Sequence, residues 1–146
     1  MNLFGMLEIS GSAMTAERER AQIVTSNMAN AQTTKTTAGG PYKRQLAIFR
    51  SQQQQPFPMT LAVAGGLSSR GEGVRVAEVV PDTKPPILRY EPGNPEADAK
   101  GYVAYPAIDP IEEMADLLGS VRAYELNASA IAATKSMIQQ SLDIVK

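Results

Sequence analysis

In 146 residues, 14 Lys and Arg stand against 15 Asp and Glu, which leaves no positive surplus to neutralise a nucleic-acid backbone or an anionic membrane. Cys, His and Trp are absent, which removes thiol nucleophiles, disulfides, thiolate zinc sites and every imidazole acid, base or ligand, so neither a cofactor nor a metal is expected. The length allows one domain with a modest core, or a small core with long appendages.

From Leu3 the positions Leu3, Leu7, Ser10, Met14, Glu17, Ala21, Val24, Met28 and Ala31 recur at coiled-coil spacing, with two polar interruptions. Ile9, Ala16 and Ile23, joined by Met6 and Ala13, widen the apolar arc to roughly 200°, beyond the stripe a surface helix needs. This helix therefore requires more than one neighbour. It stops in Asn27-Met28-Ala29-Asn30 and a Thr- and Gly-rich tract, where amide side chains would satisfy carbonyls left without intrahelical donors.

The middle of the chain is rich in Pro and Gly and has no helical period. Tyr42 to Arg50 is strand-like, and Lys43 and Arg44, with Lys35 upstream, read as a solvated strand edge. Gly73 to Val80 alternates, with Val74, Val76 and Val80 on one face and Arg75 on the other. Pro81 to Pro86 reads as a turn joining that strand to Ile87–Tyr90 in a hairpin, followed by a loop and by Tyr102 to Ile108. The Gln-rich and Gly-rich stretches between Ser51 and Gly73 read as a flexible insertion. Tyr90, Tyr102 and Tyr105 are too few and too separated for a stacking platform.

The last segment opens on Asp109 as N-cap and Pro110 at the first helical position, with Glu112, Glu113 and Asp116 complementing the positive end of the helix dipole. That helix start also accounts for the nearest thing to an acidic cluster, Asp98, Asp109, Glu112 and Glu113, so a carboxylate hydrolase is a poor alternative. From Met114 a heptad seam runs through Leu117, Val121, Tyr124, Ala128, Ile131, Lys135, Ile138, Leu142 and Val145. The Asn127-Ala128-Ser129 sequon lies inside this helix and reads as chance. A helix to the last residue would be about 54 Å long, too long for the middle segment to cover, so its partner is the N-terminal helix. An antiparallel hairpin in which Glu17 faces Lys135 would set the register; alternatively, Lys135 reaches to solvent.

The expected fold is α+β: long N- and C-terminal helices in a coiled-coil hairpin, with a small β-rich middle segment. The divisions are 1–33, 34–108 with the loop at 51–73, and 109–146. Two such helices alone would expose more apolar surface than a monomer tolerates, which predicts an oligomer or polymer. No window reaches the apolar length of about 20 residues that spans a bilayer. The N-terminus lacks the basic and apolar regions of a cleaved secretory signal, so the chain either stays in the cytosol or leaves by a route that does not read one.

The stretches "SGSAMTAERERAQIVTSNMANAQTTKT", "GGPYKRQ", "GVRVAEVVPDTKPPILRYEPGNPEADAKGYVAYP" and "DPIEEMADLLGSVRAYELNASAIAATKSMI" resemble the proximal rod proteins of the bacterial flagellar basal body, particularly the C-type, along nearly the whole chain. The first stretch, centred on Ser26 to Ala31, is shared by many axial proteins; "YEPGNPEADAKGYVAYP" is the most specific. The resemblance implies a non-enzymatic subunit of the periplasm-spanning driveshaft. It further implies delivery by the flagellar type III export apparatus without a cleaved signal, and partners that are other rod proteins and copies of itself. Neither nucleic acid nor membrane insertion is expected. The candidate assembly interface is Leu7, Met14, Val24, Asn27, Met28, Asn30, Leu117, Val121, Tyr124, Ile131, Ile138 and Leu142. The alternative is a soluble coiled-coil adaptor or export-associated binding module.

Overall fold

A computed structural model describes residues 3–52 and 73–144. Helix α1 spans Leu3–Ala29, followed by strands β1 (Gln45–Ser51), β2 (Val74–Pro81), β3 (Ile87–Tyr90) and β4 (Tyr102–Tyr105), and by helix α2 (Pro110–Ile144). The cap anticipated at the start of α2 is present, whereas at the end of α1 the Asn27 amide turns away from the helix carbonyls to Gln45 and Glu113. Asp109 Oδ1 accepts the Ile111 N–H at 2.9 Å, with Pro110 at the first helical position. At the end of α1 the chain tightens as the Asn30 N–H reaches the carbonyls of Ser26 and Asn27. Asn30 Nδ2 also donates to the Ser26 carbonyl at 2.9 Å, a second donor to an oxygen that the Asn30 N–H already reaches.

The two helices pack antiparallel. The end of α1 lies beside the start of α2, where Arg20 reaches Asp116, and Gly11 and Met14 share a cleft with Tyr124 further along. The other side of α1 packs on β1 and β2, while α2 packs on α1 alone among the described elements. The first helix thus has the second neighbour that its wide apolar arc demands. Ala16 and Val24 are buried between these layers.

The inward seam of α2 differs from the expected one. Leu117, Ile131 and Ile138 lean inward, but the deepest positions are Glu113, Ser120 and Thr134, one residue before Met114, Val121 and Lys135. Small side chains let the helices approach closely. Each polar group is also satisfied within its own turn: Ser120 Oγ donates to Leu117 O and Thr134 Oγ1 to Ala130 O, both at 2.8 Å. Asn127, the sequon residue, does the same toward Ala123 O at 2.8 Å. Ile111, Met114, Leu118 and Val121, spaced three and four apart, form a stripe that is left exposed.

The Glu17–Lys135 register is also overturned. Glu17 lies between Met14, level with Tyr124, and Arg20, level with Asp116. Lys135 is exposed about three turns beyond Tyr124.

The strands form two antiparallel pairs, β1 with β2 and β3 with β4. The expected β2–β3 hairpin does not form. Pro85 and Pro86 have no N–H to give a ladder, and the Asp82 N–H instead continues the β1 pairing by donating to Arg44 O at 2.7 Å. A bulge leaves Ala77 extra, because Ile48 faces Glu78 while Phe49 faces Val76. Val74 and Val76 are half-buried and Arg75 is exposed, as the alternation requires, but the bulge shifts the alternation by one and sets Val80, opposite Leu46, on the other face of the pair. The insertion read between Ser51 and Gly73 lies outside the described residues, apart from its edges.

Two glycines fix these units. Gly73 is buried where a Cβ would sit 2.6 Å from Ser12 Oγ, and that oxygen accepts the Val74 N–H at 3.0 Å, tying β2 to α1. Gly101 has φ +82°, a left-handed conformation that favours glycine. It closes the loop between β3 and β4, where Glu91 Oε2 accepts Tyr105 OH at 3.1 Å and Asn94 Nδ2 at 3.2 Å. Val103 of β4 is buried, and Thr34 hydrogen-bonds Glu96 to hold this hairpin against the loop that follows α1.

Candidate functional site

The last turn of α1, the first residues of β1 and the first turns of α2 meet in one buried polar junction. Asn27 is 1% exposed and Glu113 0%. Burying such groups is costly unless every donor and acceptor is matched, and here each is. Asn27 Nδ2 donates to Gln45 O at 2.9 Å and to Glu113 Oε2 at 3.0 Å. Its Oδ1 accepts the Gln45 N–H at 2.9 Å and Tyr42 OH at 3.2 Å. This is the full capacity of a carboxamide.

Arg44 completes the charge balance. Its Nε donates to Glu113 Oε1 and its Nη2 to Asp116 Oδ2 at 3.3 Å, while Arg20 Nη2 takes the other Asp116 oxygen at 3.2 Å. Burial by itself would lower the Arg44 pKa; the hydrogen bond to Glu113 and the charges of Glu113, Glu112 and Asp116 outweigh it and hold the guanidinium above its ordinary range. Arg44 is therefore an internal partner and not the solvated strand edge expected of it, whereas Lys35 and Lys43 are exposed.

The sequence-nominated residues divide into three groups. Val24 and Asn27 are buried within the chain, and Leu7, Met14, Met28, Asn30, Leu117, Ile131 and Ile138 are half-buried along or beside the α1–α2 contact. Val121, Tyr124 and Leu142 are exposed, at 44%, 40% and 64%. The outward stripe adds Ile111, Met114 and Leu118, of which Ile111 is 79% exposed.

Sequence reasoning missed the junction partners Tyr42, Arg44, Gln45 and Arg20, and assigned Glu113 to the helix dipole. One signal was present: Glu113 and Ser120 repeat at heptad spacing beside the apolar seam, and a carboxylate in such a row needs a cation. Which cation it takes is a property of the fold.

The four carboxylates weighed as a hydrolytic cluster have structural employment or lie apart. Asp98 Oδ1 accepts the N–H groups of Lys100 and Tyr102 at 2.8 and 2.9 Å, Asp109 caps α2, Glu113 is paired with Arg44, and Glu112 is exposed. No group of three or more metal-ligating side chains occurs among the described residues. None of the described helices is long and apolar enough to cross a membrane.

Comparison with known proteins is consistent along the chain. Residues 99–144 match the family model described as flagellar basal body rod FlgEFG protein C-terminal. The chain is 37% identical to the flagellar basal-body rod protein FlgC of Bacillus subtilis, with all of both chains covered. It is 36% identical to that of Borreliella burgdorferi, covering 100% of this chain and 99% of the relative. Against that of Escherichia coli O6:H1 it is 35% identical, covering 99% and 98%. These matches do not favour the soluble adaptor. With this identity sustained from end to end, the chain belongs to the FlgC family of flagellar basal-body rod proteins.

Proposed function

We propose that this structural subunit of the basal-body rod polymerises through its terminal helices and transmits torque by burying their outward faces against neighbouring subunits. The observation that carries this reading is the exposed stripe Ile111, Met114, Leu118 and Val121 on α2. A second helix already covers another face of α2, so the stripe is surplus to the fold of one chain, and apolar surface of this kind marks an interaction site. An open, heterologous interface is the arrangement that yields filaments.

The partners in this reading are copies of the chain and other rod proteins, and the outer β pairs make lateral contacts. The candidate interface keeps Leu7, Met14, Met28, Leu117, Tyr124, Ile131, Ile138 and Leu142, with Val121 at its centre. Val24, Asn27 and Asn30 support it from within. The role is mechanical and involves no catalytic step. Delivery is by the flagellar type III export apparatus, without a cleaved signal.

Deletion of the gene, restoration on a plasmid and imaging of purified basal bodies test the proposal. Rods missing beyond their base and restored by the plasmid are the expected result; intact, motile flagella without the gene would overturn it.

A further inference from the structure

We propose that the Asn27–Arg44–Glu113 junction, and not the apolar contact between α1 and α2, fixes the register in which the two helices pack. The contact itself repeats at heptad spacing, with the half-buried Leu117, Ile131 and Ile138 of α2 standing at multiples of seven. Its deepest positions along α2, Ser120 and Thr134, carry small side chains. The polar members of α2 turn back to carbonyls of their own helix, so they point no directional bond across the contact.

A slip of one heptad, about 10 Å, exchanges Ser120 or Thr134 with Asn127, all of which bond carbonyls of their own helix. Those exchanges break no side-chain hydrogen bond between the helices. Side-chain hydrogen bonds between α1 and α2 are, among the described residues, Asn27 to Glu113 and Arg20 to Asp116, and both lie at the β1 end. Glu113 is fully buried. In a slipped pairing it would lose Asn27 and Arg44 together and become a buried charge without a partner, the penalty by which polar groups most reliably enforce registry.

The consequence for assembly rests on the rod-subunit reading. Subunits of a helical polymer must present the same surface, and a one-heptad slip would move the Ile111–Val121 stripe by about two turns relative to α1. A register key makes the copies equivalent before they join.

The chain has no cysteine, so introduced pairs report register directly in the purified full-length protein. Met14→Cys with Tyr124→Cys spans the native cleft; Leu7→Cys or Ala21→Cys with Tyr124→Cys reports a slip in either direction. With the junction intact, the native pair oxidises at least tenfold faster than either slipped pair. In the background Arg44→Met with Glu113→Leu, which removes the charges together, a slipped pair gains at least tenfold while circular dichroism shows the helix content retained. Unchanged preference for the native pair in that background would overturn the proposal.

If that background loses its helices, moving the key decides the matter. Glu113→Ser with Ser120→Glu shifts the carboxylate by one heptad. The Ala21–Tyr124 pair should then become the faster one, and persistence of the Met14–Tyr124 pair would overturn the proposal. The readout is independent of the rod assignment, which the basal-body imaging tests.

Discussion

Asn27, in the last turn of α1, and Gln45, the first residue of β1, exchange two hydrogen bonds at 2.9 Å, so a side-chain amide stands where a neighbouring strand's peptide would. The same carboxamide holds Glu113 at 3.0 Å. Asn27→Asp keeps the shape, removes both donors and sets a second negative charge beside Glu113. It should destabilise the chain by roughly 2–4 kcal/mol. Urea denaturation of the full-length protein checks this, and a midpoint equal to the parent's would mean that the junction is not matched as described.

Arg44→Met should cost about 3–5 kcal/mol, because it strands the Glu113 charge in a buried site. Adding Glu113→Leu should recover at least half of that loss, since an apolar pair of similar volume replaces the ion pair. Denaturation midpoints of the two single variants and the double variant give the coupling. Additive losses would show that the two side chains act independently.

Val121→Asp and Ile131→Asp separate assembly from folding. Val121 is exposed in the single chain, so Val121→Asp should alter stability by no more than about 0.5 kcal/mol and yet block incorporation into rods, leaving cells non-motile. Ile131 is half-buried along α1, so Ile131→Asp should both destabilise the chain and block assembly. Normal motility with either variant would place the interface elsewhere.

Gly73→Ala should destabilise by about 1–3 kcal/mol, because the new methyl group overlaps Ser12 Oγ and displaces its hydrogen bond to Val74. Ser12→Ala alone removes the bond without the overlap and should cost less, about 1 kcal/mol. Thermal melting of both variants ranks them; equal losses would mean that the close approach of β2 to α1 does not matter.

Tyr105 should ionise above the ordinary tyrosine value. Its hydroxyl donates to Glu91, whose negative charge also opposes phenolate formation. A raised folded pKa means that this hydrogen bond contributes fully below about pH 10 and is lost as the pH rises through the folded value. Ultraviolet titration of the parent minus Tyr105→Phe isolates the group, and Glu91→Gln should bring its midpoint back down. A midpoint unaffected by Glu91→Gln would remove the proposed cause.

The comparison between sequence and fold is most informative at α2. The Asp109–Pro110 start depends on a cap and a pre-set dihedral, both local properties, and it formed as expected. The seam depends on which of two adjacent rows meets α1. Met114, Val121, Ala128 and Lys135 compete with Glu113, Ser120, Asn127 and Thr134, about 100° apart on the helix, and periodicity favours the apolar row. The fold turned Ser120 and Thr134 inward because those side chains permit close approach and bond their own carbonyls, while Met114, Val121 and Lys135 stayed exposed.

The sequence by itself determined what short-range physics controls: two long helices, the Asp109 cap, strand-forming segments between prolines and glycines, and an excess of apolar side chains left exposed on the single chain. Only the tertiary structure decided the pairings. The carboxylate that would accept Arg44, the strand that β2 would join and the level at which α1 would meet α2 each depend on residues distant in the chain. Those contacts are selected by the joint cost of leaving any of their buried polar groups unmatched.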